Sequence, residues 1–212
     1  MNPADALPAD WFRRLDESCD AEFYREPRFV THIDDATIAA LTQVYRELIA
    51  PGAAVLDLMS SWVSHLPPEI GYGRIAGLGM SHPELARNPR LSDFVVHDLN
   101  ATPELPFPDA TFDAVVNAVS VQYLTRPVEV YTAVRRVLKR GGRAIVALSH
   151  RCFPTKAIAA WHVLPAGDRL RLVVSYFELA GGYDSPELLD RSPAGADPLW
   201  IVSACRSTST RS

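Results

Sequence analysis

Between residues 53 and 149 the chain carries five short, almost continuously apolar runs separated by turns or by helix-patterned stretches. They are AAVLDL (53–58), GRIAGLGM (73–80), DFVVHDL (93–99), DAVVNAVS (113–120) and RAIVALS (143–149). Each is too short for a helix and too uniformly apolar for a sheet with one wet face. Strands of this kind must be buried on both faces, which a parallel sheet covered by helices provides. Helix signals fall in the right places. Ile38, Leu41, Tyr45, Leu48 and Ile49 recur at helical spacing after Asp35 and stop at Pro51-Gly52. Pro127 suits the first turn of a helix with the stripe Val130, Val134, Val137 and Leu138, ended by Gly141 and Gly142. TPELPFPDATF (102–112) reads as a proline-punctuated connection, residues 157–164 and 168–182 as later helices, and PLWIVSAC (198–205) as a last strand.

The bulk properties narrow the function classes. At 212 residues the chain suffices for one well-buried domain plus a small extension, and 48% hydrophobic with 22% charged residues is ordinary for a soluble globular protein. A formal net charge of -4 argues against a general nucleic-acid or acidic-membrane binder. The local cluster RRVLKRGGR (135–143) reads as a solvated helix end and turn. Cys19, Cys152 and Cys205 are scattered without CxxC spacing, which suits a reducing compartment. MNPADALPADWF at the start has neither a basic end nor an apolar core, and no run reaches the ~20 apolar residues that span a bilayer. The expectation is a cytoplasmic protein with a small-molecule substrate, no nucleic-acid or membrane partner, and an open oligomeric state. Its expected division is an N-terminal arm or lid (1–34), an α/β domain (35–206) and a disordered tail (207–212).

In such sheets ligands collect outside the carboxyl ends of the strands, beside the first one. That draws attention to Asp57, to Met59 through His65, to Met80 through His82, to His97 through Asn100, to Asn117 through Tyr123, and to Ser149 through Cys152. Asp57 and Asp98 are ligand contacts or turn caps. Ser60, Ser61 and Ser64 offer hydroxyls to a ligand or to their own backbone. Trp62 either roofs a planar ligand or plugs a gap. His32, His65, His97 and His150, with Asp34 and Asp35 nearby, sit at or near strand ends. His65 and His150 lead as general bases, since imidazole titrates near neutrality. No HxH or HxxxH spacing supports a metal, so no metal ligand is assigned. Tyr123 either faces an acceptor or packs on the following helix, and FYREPRFVTHIDD (23–35) is a candidate lid. GxSxG, the phosphate loop and GxGxxG after the first strand are all absent.

VLDL (55–58), HDLNATPELPFPDATFDAVV (97–116) and RRVLKRGG (135–142) together resemble the class I S-adenosylmethionine-dependent methyltransferases of the small-molecule type. The resemblance covers residues 50–150. It implies a doubly wound, mostly parallel seven-stranded sheet. The last strand would run antiparallel between the fifth and a sixth supplied by ELLDRSP (187–193). It implies S-adenosylmethionine as cofactor, with Asp57 ending the first strand, Asp98 at the adenine amino group and Leu99 along the adenine. Asn117 and Ala118 would flank the methionine part, and Met59, Ser60, Ser61 and Met80 complete the cofactor wall. Tyr123 stands where the family places residues facing the acceptor.

This chain also diverges from the pattern. The family's loop glycines fall on Met59, Ser61 and Val63, and the acid expected at the end of the second strand falls on Gly79 or Met80. A non-glycine residue in left-handed backbone costs roughly 1–2 kcal/mol, so the first loop is expected to take a different path. The expected function is methyl transfer to a small-molecule acceptor. Two other readings stand beside it. One is a methyltransferase fold that has lost methylation and binds another ligand, runs a different reaction or serves as a binding module. The other is a metal-assisted enzyme built on the histidines.

Overall fold

The computed structural model describes residues 6–208. The five apolar runs form β1 (Ala54–Leu58), β2 (Arg74–Gly79), β3 (Asp93–Val96), β4 (Phe112–Ala118) and β5 (Leu138–Leu148), followed by β6 (Glu187–Asp190) and β7 (Trp200–Cys205). They make one sheet of order β3-β2-β1-β4-β5-β7-β6. β1 to β5 pair in parallel, and β7 runs antiparallel to both β5 and β6. This is the expected class I methyltransferase architecture, with residues 187–190 supplying the sixth strand.

The helices are α1 (Asp20–Phe23), α2 (Asp35–Leu48), α3 (His82–Arg87), α4 (Pro127–Val137), α5 (Ala159–Val163) and α6 (Ala166–Ala180). Asp34 caps α2 by accepting from the Thr37 N–H at 2.9 Å. Gly181, at φ 66°, ends α6 as a C-terminal glycine should. α4 departs from expectation. It stops at Val137, and Leu138 is already the first residue of β5, paired with Phe112. Gly141 and Gly142 therefore lie inside the long strand, where the register shifts. A Cβ on Gly142 would meet the Lys139 carbonyl at 2.9 Å.

Alternate strand residues feed two cores. Leu56, Leu58, Val146 and Leu148 pack with Val130, Val134, Tyr176 and Phe177 of α4 and α6. Val55, Ile145 and Ala147 pack with Leu41 and Tyr45 of α2 on the other face. Period-two alternation thus buries both faces of β1, β4 and the second half of β5, whereas β3, an edge strand, leaves Asp93 and Val96 exposed, against the expectation that every apolar run is buried on both faces.

The arm is strapped to the segment before α5. Arg14 bridges Ile158, the Ala159 N–H donates to Arg13 O at 2.7 Å, and the Asp16 N–H donates to Thr155 O at 2.9 Å. The Lys156 side chain is fully buried, with Nζ 3.1 Å from Asp20 and 2.7 Å from the Ser18 carbonyl. Asp20 also takes Arg14 at 2.8 Å and the Asn100 amide at 2.9 Å. At the other end Ser207 N–H donates to Gly182 O and the Thr208 carbonyl accepts from Arg140. The rest of the expected tail, residues 209–212, lies outside the described residues, as do residues 1–5 of the arm. Among the described residues no helix is long and apolar enough to cross a membrane.

Candidate cofactor and substrate site

A cavity of about 120 Å³ opens at the carboxyl ends of β1, β2 and β4, roofed by the arm. The loop after β1 forms one wall. Met59 itself takes left-handed backbone, φ 57°, so the expectation that a non-glycine residue would avoid that conformation is overturned there. Ser60 N–H then bonds Leu78 O at 2.7 Å, and the Ser60 carbonyl presses onto Gly79 so closely that a Cβ there would collide. The cost of the strained residue is offset by clamping the loop to β2. Val119, just beyond β4 and also in the cavity wall, is a second strained position at φ 43°.

Asp57 ends up buried at the base of the cavity. The Ser60 and Ser64 hydroxyls both donate to its Oδ2, at 2.7 and 2.5 Å. Asn88 steadies this cluster by donating to Ser64 Oγ at 3.0 Å and to the Ser61 carbonyl at 2.9 Å. Burial pushes the Asp57 carboxyl up to about 6, against the pull of the two serine bonds. Close by, the Tyr45 hydroxyl is buried in the wall with no partner among the described residues.

Asp98 lines the cavity and caps its own turn, Oδ1 accepting from Asn100 N–H at 2.9 Å and Ala101 N–H at 3.2 Å. Leu99, Met80, Ser60, Ser61 and Ala118 also line it. Asn117 does not. Its amide lies 3.5 Å from the Leu58 carbonyl, and its Oδ1 accepts from Ser120. The reason is strand parity: neighbouring Ala118 faces the cavity, so Asn117 points to the opposite face of β4.

The histidines divide. His32, His65 and His97 line the cavity. His150 lies outside its wall, exposed and 3.5 Å from Asp197, a carboxylate it shares with Arg151. The chain after β5 next meets the cavity at Phe153, so position at a strand end did not put the His150 side chain in the site. Burial drives the His65 imidazole down to about 4, with His32 adding repulsion. His32, itself lowered by burial, sits edge-on to Phe153 at 5.2 Å. The Tyr123 hydroxyl accepts from the Phe153 N–H at 2.7 Å, its ring stacks on Phe153 at 5.9 Å, and burial lifts its phenol to about 12. Trp62 neither roofs nor plugs the cavity; its indole N–H donates to the Val30 carbonyl of the arm at 3.0 Å. Among the described residues no three His, Cys, Asp or Glu side chains converge as a metal would require.

Glu84 went unmarked in the sequence, and Arg28 entered only as part of the candidate lid 23–35. Glu84 is buried, with Oε1 accepting from the Arg28 N–H at 2.7 Å and Oε2 from the Ser61 hydroxyl at 2.5 Å. An acid in the first turn of a helix is commonplace, so nothing local set Glu84 apart. Arg28 comes from the arm, where no periodicity points anywhere. The bare strand end at Gly79 is the local sign in the sequence that this wall draws a side chain from elsewhere.

A family model described as a methyltransferase domain matches residues 61–146 of the chain, beginning just beyond Asp57 and the strained Met59. Over those residues the chain is similar to that family, and its fold is the class I methyltransferase fold. Solved structures share its architecture. An S-adenosylmethionine-dependent methyltransferase from Mesorhizobium loti superposes with a TM-score of 0.56 at 17% identity, over 79% of this chain and 98% of that one. The phosphoethanolamine N-methyltransferase 2 of Haemonchus contortus, in complex with S-adenosyl-L-methionine, gives 0.56 at 13% identity, over 81% of this chain and 52% of that one. SpnF, a 4+2 cyclase, gives 0.59 at 17% identity, over 80% of each chain. At these identities the likeness is one of fold. No curated protein matches this chain in sequence.

Proposed function

We propose that this chain binds S-adenosylmethionine in the cavity between β1, β2 and β4 and promotes methyl transfer to a small-molecule acceptor held beneath the arm. The observation that carries the reading is a set of three buried polar atoms around that cavity that have no partner among the described residues: Tyr45 Oη, Ser81 Oγ and Arg28 Nη1. Buried polar groups are nearly always satisfied, so three orphans in one wall call for a polar ligand. Asp57 and Asp98 add carboxylate oxygens, and Leu99, Met59 and Ala118 add apolar surface, a mixture that fits an adenosyl group joined to an amino acid. Ser60, Ser61 and Met80 would complete its contacts.

The cofactor would supply an electrophilic methyl group. The protein's part is to bind, orient and exclude water, which converts an encounter into an oriented approach. Phe153, stacked on Tyr123 and braced by the arm, closes the outer side. His65, kept neutral by burial, can accept a hydrogen bond from the acceptor, but its lowered basicity counts against the general-base role expected from the sequence. Tyr123 stays protonated and positions rather than ionises. His150 and Asn117, outside the wall, take no part in this scheme. The net charge of -4 and the arm over the cavity favour a small acceptor over a nucleic acid, and three unpaired cysteines suit a cytoplasmic setting.

One observation favours a second reading, in which the fold binds a different ligand and no longer methylates. Ser60 leaves no side-chain room at Gly79, and the same fold occurs in a protein named as a 4+2 cyclase. Calorimetric titration with S-adenosylmethionine and S-adenosylhomocysteine separates the two. Micromolar binding lost in Asp57→Ala supports methyl transfer; binding no tighter than millimolar ends it.

A further inference from the structure

We infer that Arg28 is the docking point for a carboxylate on the molecule held under the arm, an assignment that rests on the small-molecule cavity proposed above and deepens it. Among the described residues Arg28 is the only Lys or Arg in the cavity wall. Its guanidinium sits over aromatic faces, with Cζ 4.3 Å from the Phe23 centroid and 5.3 Å from that of Phe153. Nη2 donates to the Phe23 carbonyl at 3.0 Å, whereas Nη1 is buried and has no acceptor among the described residues.

The neighbouring charges do not answer that need. Glu84, the closest carboxylate to the segment, accepts from the Arg28 backbone N–H. Asp20 is already taken by Arg14 and Lys156. Arg14 and Lys156 thus share Asp20, whereas among the described residues no carboxylate pairs with the Arg28 guanidinium, which lines the cavity. A planar guanidinium held over aromatic rings presents a rigid fork, the geometry that carboxylates accept in bidentate fashion. Leaving such a donor buried and unpaired is costly, so a ligand oxyanion gains by filling the gap.

The carboxylate has two sources, the amino-acid end of the cofactor or an aromatic acid acceptor seated on Phe153 and Phe23. Calorimetry on the full chain and on Arg28→Gln tells them apart, using S-adenosylhomocysteine, methylthioadenosine (the same thioether nucleoside without the amino acid), hydroxybenzoate and phenol. A loss of about ten- to a hundred-fold for S-adenosylhomocysteine, with methylthioadenosine unchanged, assigns the carboxylate to the cofactor. Unchanged nucleosides with hydroxybenzoate binding lost, and phenol unaffected, assign it to the acceptor. Arg28→Lys should keep part of the affinity in either case, and Arg25→Gln on the exposed side of the arm should change nothing. Equal weakening of both nucleosides would mean that the substitution merely loosens the arm, and would overturn the inference. So would ligand binding indifferent to Arg28. If no nucleoside binds either protein while hydroxybenzoate still depends on Arg28, the methyltransferase reading falls and this inference stands.

Discussion

The carbonyl of Ser60 rests against the Cα of Gly79, and that contact closes the end of β2 to any side chain. It follows from the left-handed turn at Met59 and the Ser60 N–H bond to Leu78 O at 2.7 Å, which together draw the loop onto the neighbouring strand. Gly79→Ala should therefore displace the loop and cost about 1–3 kcal/mol, the usual penalty of forced overpacking. Gly71→Ala, where an added methyl meets nothing, serves as the control. Equal urea midpoints for the two variants would refute the contact.

Asp57 contributes to stability with a definite sign. Its folded carboxyl sits at about 6 against an ordinary 3.8, so the native state holds the extra proton between those values and burial of the charge weighs fully above pH 6. Stability from this group is lost as pH rises through 6, by up to about 3 kcal/mol. Asp57→Asn should thus be the more stable protein at pH 8, by about 1–3 kcal/mol, while losing ligand affinity. Denaturant midpoints at pH 5 and pH 8 test this. A variant less stable than the parent at pH 8 would show that the charge is not the burden described.

His65 works in the opposite direction. Its imidazole is lowered to about 4 from 6.5, so it favours the folded state above pH 6.5 and that contribution is lost as pH falls towards 4. The amount is about 3 kcal/mol over the full range. His65→Gln should flatten the decline in stability between pH 7 and pH 5, whereas Asp57→Asn should steepen it. Parallel stability curves for the two variants would contradict both assignments.

Asp20 anchors the arm. Asp20→Ala would leave the fully buried Lys156 ammonium and the Arg14 guanidinium without the carboxylate they share. Breaking a buried pair from one side costs about 3–5 kcal/mol. The loss should be local at first, so limited proteolysis should cut the arm between residues 13 and 28 at protease levels that spare the parent. An arm that stays resistant would mean that the backbone bonds of residues 13–16 hold it unaided.

What the sequence determined by itself was the sheet and its active edge. Short, nearly continuous apolar runs fit the strands of a parallel sheet, buried on both faces at its centre though not at the β3 edge, and an acid at or just beyond a strand end, such as Asp57 or Asp98, reaches the carboxyl edge wherever the rest of the chain goes. The direction of an individual side chain was a different matter. Asn117 turned away because its neighbour Ala118 took the cavity side of β4, and His150 left the site with the path of the chain after β5. Glu84 and Arg28 entered the wall only through a contact between residues 56 positions apart. Local patterning records periodicity and turn chemistry over a few residues. The closing of a cavity by an arm, a loop and a helix turn is a packing event among distant segments, and only the tertiary structure decides it.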